Sequence, residues 1–439
     1  MDKLAWLRTI YQEGRRRRRL PPKPAALALL SLALLGGLLV LGVQKLPSLE
    51  DQINYDIEGA LPSLASDSNL RGKILIWHGE RIKAVKSIQR TVSAYEDLHP
   101  QVKIVVESIP EDQLIQATIE NTQGGLAPNL IVTNYASLLD LIEADAVSAI
   151  TPPPEFQNYL PAALSQVTYR GQVYGFPVSV LTQVLCYNRA KLGEKTPFAT
   201  LDELLLQASQ GYSVGIPSRF LDTLWGLSYF TPRIFDAQGN FAIHRGAWSR
   251  WLGWLLQAKT QPNVLLEADE SALLQAFRER RLAYLICDAS YIAELQQELG
   301  KQELGVTLLP RHLGRDAGPL LYTKVLAVGK TPNAQQEKIA LDFAKFVINS
   351  EQVRQRAQEL EGFIPPDQKL KLNANLYATE AILMRQAQSA IAIPLNKLGS
   401  ILGFSEEAEL LYQQVIAGSL SPQKASETLR NLIFPQSQP

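Results

Sequence analysis

Few side chains in this sequence stand at spacings that could do covalent or metal chemistry. The stretch GKT at 329–331 has the tail of a phosphate-cradling loop, but the first glycine such a loop needs would fall at Lys324. No G-x-S-x-G turn occurs, so a nucleophile elbow is missing. Four histidines and two cysteines are scattered without metal-ligand spacing. The 43 acidic residues make chance carboxylate pairs inevitable, so their number lends a glycosidase no positive support. What the pattern does offer is non-covalent. Trp77 ends the apolar run KILIW (73–77) and His78 and Glu80 follow it, Asn134 and Tyr135 follow NLIVT (129–133), and Asp288 follows RLAYLIC (281–287). Tyr322 and Lys324 sit in LLYTKVLAV (320–328), where the lysine could meet an anion. Aromatic faces give stacking surfaces, and carboxylates and amides give acceptors and donors. Each of these residues also has a plain structural use, as core ring, helix cap or edge charge.

Such groups need strands that end at one edge of a sheet, and the sequence supplies them. The runs 73–77, 102–107 and 129–133 read as strands, alternating with helical spacing at 80–98, 112–121 and 136–145. Strand and helix in alternation predict an α/β fold with a parallel, doubly wound sheet. The middle differs. Residues 167–192 read as a hairpin around Arg170-Gly171 and then one long extended stretch. A helix over 200–209 starts with a threonine cap and a glutamate three residues on, a capping box. Residues 220–256 are rich in aromatics, and Trp248, Trp251 and Trp254 stand at helical spacing as packing residues. Further helices are predicted at 272–280, 291–299, 335–349 and 422–432, with strands at 281–287, 306–310 and 320–328. Cys186 and Cys287 lie in apolar strand-like runs; two buried free thiols are the expectation and a disulfide the alternative.

Residues 24–43, PAALALLSLALLGGLLVLGV, are about 20 apolar residues without a charge, enough to span a bilayer. Lys3, Arg8, Arg15 to Arg19 and Lys23 precede them, so this end should stay cytoplasmic and the rest of the chain should lie across the membrane. No small-residue cleavage pattern and no cysteine follow the run, which favours a retained anchor over a cleaved signal. The sequence divides into a basic segment (1–23), a transmembrane helix (24–43), a linker (44–71) and a long body. Lysine plus arginine and aspartate plus glutamate both total 43. With the basic segment set aside the body is mildly acidic, which argues against a nucleic-acid partner.

Several segments in order resemble one family: ILIWHGE (74–80), AYEDLHPQVKIVVE (94–107), APNLIVTN (127–134), YGFPVSVLTQVLCYNRAKL (174–192), TPFATLDELLLQAS (196–209), FRERRLAYLICDASY (277–291) and EGFIPP (361–366). Together they resemble extracellular solute-binding proteins of the sugar-binding type that serve ABC importers, the maltose-binding-protein class. The resemblance implies a two-lobed, periplasmic-binding-protein-like fold of type II. Lobe 1 would take mainly 72–182 and lobe 2 mainly 183–310; residues 311–432 would cross back and add the C-terminal helices. It also implies a small solute, a carbohydrate by preference, held by hinge closure, with ABC permease subunits as partners and no cofactor. It places Phe176, Ser179 and Thr182 near the cleft, adds Asp222, Trp225 and Phe363 to the strand-end residues above, and argues against an enzyme. A tethered sensor or scaffold of the same fold, and a glycoside-processing enzyme, are the alternatives. The sequence departs from the family at Arg280-Arg281, where a glycine is usual, at Asp288-Ala289-Ser290-Tyr291, where Gly and Trp are common, and at Gly318-Pro319, where the family has paired glycines.

Overall fold

The computed structural model describes residues 70–434 except 81, 237–238 and 332. The basic segment, the apolar run 24–43 and nearly all of the linker lie outside the described residues. Among the described residues no helix is long and apolar enough to cross a membrane.

The chain enters through β1 (Gly72–His78), the helix Ile82–Leu98, β2 (Val102–Ser108), the helix Glu111–Gln123, β3 (Leu130–Asn134) and the helix Tyr135–Glu143. These elements follow the alternation of strand-like and helical hydrophobic periods, within a few residues of the predicted bounds. A short hairpin, β4 (Thr168–Tyr169) and β5 (Gln172–Val173), turns at Arg170 and Gly171, both at positive φ. That turn matches the twist of its strands. The extended stretch beyond it is not one strand but two, β6 (Phe176–Leu181) and β7 (Gln183–Asn188). Then come β8 (Val214–Pro217), β9 (Val264–Glu267), β10 (Tyr284–Asp288), β11 (Leu304–Thr307), β12 (Leu320–Val328) and β13 (Ile391–Ala392).

Two sheets result. The first has the order β13-β12-β3-β1-β2, with β6 also on β12; the second has β11-β7-β10-β8-β9. In the first, β1 runs parallel to β2 and β3, while β12 is antiparallel to β3. In the second, β8 runs parallel to β9 and β10, while β7 is antiparallel to β10. The parallel expectation is therefore corrected: in each sheet three neighbouring parallel strands meet a reversed one, beyond which β6 and β11 run with the three and β13 runs with β12. The reversal has a geometric cause. Strands β7 and β12 arrive from the other sheet, enter at the carboxyl edge of the parallel strands, and must run away from it.

Thr182 marks the first crossing, between β6 in one sheet and β7 in the other. Its hydroxyl donates to the Leu320 carbonyl (2.9 Å), and its own carbonyl accepts from the Ala289 N–H (3.0 Å). The chain returns between β11 and β12. The helix Leu395–Ile416 packs on Ala247–Lys259 and on Pro422–Ile433 beside the second sheet, and also reaches Tyr135–Glu143 beside the first.

Local signals explain the frame. Thr200 Oγ1 accepts from Glu203 N (3.2 Å) as the sequence predicts, and the Glu203 carboxylate reaches back one residue past the cap, accepting from Ala199 N (2.6 Å). Arg280 takes φ 57°, so an arginine here adopts the left-handed turn for which glycine is the usual residue. The tryptophans at helical spacing are core. Trp251 and Trp254 stack at 5.0 Å, and a Cβ on Gly226 would lie 2.1 Å from the Trp251 ring, so only glycine allows that contact. The free-thiol expectation is also corrected. Cys186 and Cys287 form a disulfide between the neighbouring antiparallel strands β7 and β10, with Cα atoms 6.0 Å apart. Both are buried. The sequence hid the pairing because 101 residues separate the two.

Candidate functional site

In sheets of this kind a ligand crevice lies beyond the carboxyl ends of parallel strands. In the second sheet three carboxylates reach that edge. Asp222 lies in the first turn of the 3-10 helix Leu221–Tyr229 after β8, Glu270 begins the helix Glu270–Arg278 after β9, and Asp288 ends β10. All three are half-buried. Asp222 is pushed up to about 7, first by burial and then by Glu409 and Asp288, against the opposing pull of Arg219. Glu270 is pushed up to about 8 by burial and by the charges of Asp222 and Asp288, while a hydrogen bond from the Tyr291 hydroxyl (3.3 Å) works the other way. Asp288 is raised by burial although its side chain accepts from Ser290 N (2.7 Å). The charge of Asp288 raises Asp222, and the charges of both raise Glu270, as expected of carboxylates near one another.

The first sheet faces this cluster with tyrosines. Tyr322, near the start of β12, and Tyr135, at the start of its helix, have ring centroids 6.0 Å apart. The Tyr322 phenol is raised by burial and by the charges of Asp222, Asp288 and Glu270, all on the other sheet. Two tyrosine rings from one side and three carboxylates from the other thus bound a single cleft. On the rim, Lys324 pairs with Glu80 at 2.6 Å.

The remaining sequence candidates do other work. Trp77 is buried in the core, and its indole N–H donates to Glu107 (3.0 Å). His78 is buried and its Nδ1 accepts from Glu80 N (3.0 Å); burial holds it below the usual histidine range. Asn134 caps its helix by accepting from Ser137 N (3.0 Å). Phe176 is core and stacks edge-on to Phe156. Ser179 is buried on β6, in register with Lys324. Thr182 ties the crossing together as described. Trp225 is completely buried, 4.9 Å from Trp251, so it cannot offer a face to a ligand. Phe363 joins Val353, Ala357 and Leu370 in a separate small cluster beneath Arg356. Sequence reasoning missed Glu270, Arg219 and Tyr291. Strand β9 has only four residues, too short to stand out, so the strand-end position of Glu270 was hidden.

A cavity of about 190 Å³ lies elsewhere, between Leu309, Ala317 and the helix Ala378–Ser389, and none of the cleft residues lines it. Among the described residues no cluster of His, Cys, Asp and Glu has the geometry to hold a metal.

The model of the bacterial extracellular solute-binding proteins matches residues 90–384. The chain belongs to this family. The solute-binding chain is 23% identical over 356 residues to a maltotriose-binding protein of Pyrococcus abyssi (strain GE5 / Orsay), covering 76% of this chain and 75% of that one. Its fold matches the maltodextrin-binding protein MalE1 of L. casei BL23 without ligand, at TM-score 0.71 and 18% identity, over 84% of this chain and 100% of that one. It also matches the maltose-binding protein MalE of Listeria monocytogenes in complex with maltose, at TM-score 0.70 and 14% identity, over 84% and 99%. The relatives are binding proteins and not enzymes, and the family places the body of this solute-binding chain outside the cytoplasm.

Proposed function

We propose that the chain is the membrane-tethered, substrate-binding subunit of an ABC-type importer and captures a maltodextrin-like oligosaccharide between its two lobes. The observation that carries the reading is the pairing of Tyr135 and Tyr322 on one wall with Asp222, Glu270 and Asp288 on the other. Sugar rings present apolar faces that stack on tyrosine and hydroxyls that donate to carboxylates. A guest touching both walls favours the closed arrangement by its differential affinity for that state, which a permease then recognises. The maltotriose named for the Pyrococcus relative and the maltose bound in the Listeria structure support this ligand class. The buried disulfide supports an oxidising, exported location. The uncharged run 24–43 behind an arginine cluster supports a retained tether, which raises local concentration at the transporter.

Calorimetry on the full chain with maltose, maltotriose and maltotetraose tests the reading. Saturable binding is expected, weakened by Asp222→Asn and by Tyr322→Ala and unchanged by Glu407→Ala on an exposed helix face. If no maltodextrin binds while another class of solute does, the ligand assignment is wrong.

A further inference from the structure

The loop that carries Asp222 is held from an unexpected place, the C-terminal helix Leu395–Ile416. Glu409 accepts the Phe220 N–H through Oε2 at 2.7 Å, and its other oxygen accepts from Gln413 Nε2 at 2.7 Å. Gln413 Nε2 also reaches the Ser218 carbonyl at 3.5 Å. The Phe220 ring is seated between Tyr412 (5.3 Å, edge-on) and Phe404 (6.3 Å) of the same helix and Trp248 (5.8 Å). Residues 218–220 are thus gripped at two backbone groups and one ring, and Asp222 stands two residues further on. The same helix also touches Tyr135–Glu143, whose first residue is the tyrosine of the opposite wall.

We infer that Glu409 is a positioning residue of the cleft: its carboxylate fixes the loop 218–222 so that Asp222 faces the guest. The inference rests on the reading of the cleft as a sugar site. A carboxylate accepting a backbone N–H is a charge-assisted bond, stronger than its amide equivalent, and it fixes a loop otherwise free to move. Glu409 also sets the charge that Asp222 feels. Arg219, Glu409 and Asp288 act on Asp222 directly, while Glu270 on the same wall and Tyr322 across the cleft respond to it.

The experiment compares wild type, Glu409→Ala, Glu409→Gln, the exposed control Glu407→Ala and the buried control Val415→Ala on the full chain. Maltotriose affinity is read from pH 5 to 9, and hydrogen exchange is read at residues 218–224. Glu409→Ala should bind about tenfold more weakly at pH 7, the size of one charge-assisted bond, and should exchange faster at 218–224. Glu409→Gln keeps an acceptor and should restore most of the affinity. In both variants the midpoint of the affinity–pH profile should fall, because a negative neighbour of Asp222 is gone. Glu407→Ala should change nothing. Unaltered affinity and exchange in Glu409→Ala overturns the proposal. So does Val415→Ala if it weakens binding equally and moves the pH midpoint equally, since the effect is then only that of a loosened helix. If wild type binds no sugar, the functional reading fails, and exchange at 218–224 still decides whether Glu409 holds the loop.

Discussion

Replacing Glu270 by glutamine should make the empty protein more stable and the binding site worse. The folded carboxyl titrates at about 8, against 4.5 for the ordinary group. At pH 7 the unfolded chain has released this proton and the folded chain still holds it. Folding therefore works against a gap of about 2.5 pH units, worth about 3 kcal/mol at 1.36 kcal/mol per unit. Water entry and relaxation in a cleft open to solvent leave about 1–2 kcal/mol of that. The sign is fixed by the raised value. The penalty is absent below the unfolded pKa, grows as pH rises from about 4 to about 8, and is constant above that. Thermal unfolding of wild type and Glu270→Gln without ligand is the assay. The variant should melt about 2–4 °C higher at pH 7, with no difference at pH 4. At pH 9, where the folded carboxyl has ionised, the affinity of Glu270→Gln for maltotriose should be about tenfold below wild type, because an amide is a weaker acceptor than a carboxylate. A variant less stable than wild type at pH 7, or a gain independent of pH, refutes the account of this cluster.

Trp225→Ala should cost about 3–5 kcal/mol of stability in denaturant titration, because it empties a fully buried site against Trp251 and Trp254. The affinity of the molecules that remain folded should change less than in Tyr322→Ala, the reverse of what a ligand-stacking Trp225 would give. Gly329→Ala should cost about 3 kcal/mol in the same titration, since the added Cβ would stand 1.9 Å from the Pro128 carbonyl oxygen, a backbone atom that cannot swing away. Paired Cys186→Ala and Cys287→Ala changes should cost about 2–5 kcal/mol, from a link that closes a loop of 101 residues.

The strands were legible where apolar runs were long or bounded by turns, as in β1, β2, β3 and β12. The four-residue β9 was not, and Glu270 was lost with it. The break at Thr182 was not legible in the hydrophobic pattern, which runs unbroken through an extended backbone; only the family resemblance divided the lobes between 182 and 183, and β6 and β7 do pair in two different sheets. Position beyond a strand is a property of local sequence, so Asp288 and Tyr135 were legible as candidates, and Tyr322, inside β12, stands with them beside the proposed cleft. Strand-end reasoning overreached at Trp77 and Asn134, which stand at the right edge but spend their polar atoms on Glu107 and on a helix cap. Trp225 follows Asp222 by one 3-10 turn, yet its ring turns into the core, a choice made by Trp251 and Gly226 and invisible without them. Cys186 and Cys287 pair because β7 and β10 are neighbours, a fact of topology and not of spacing.

The decisive measurement is a crystal structure of the chain grown with maltotriose. A sugar should lie between the two sheets, with a ring on Tyr135 or Tyr322 and hydroxyls within hydrogen-bond distance of at least two of Asp222, Glu270 and Asp288. A sugar bound elsewhere, or a cleft that stays empty at saturating maltotriose, overturns the assignment of this cleft as the binding site.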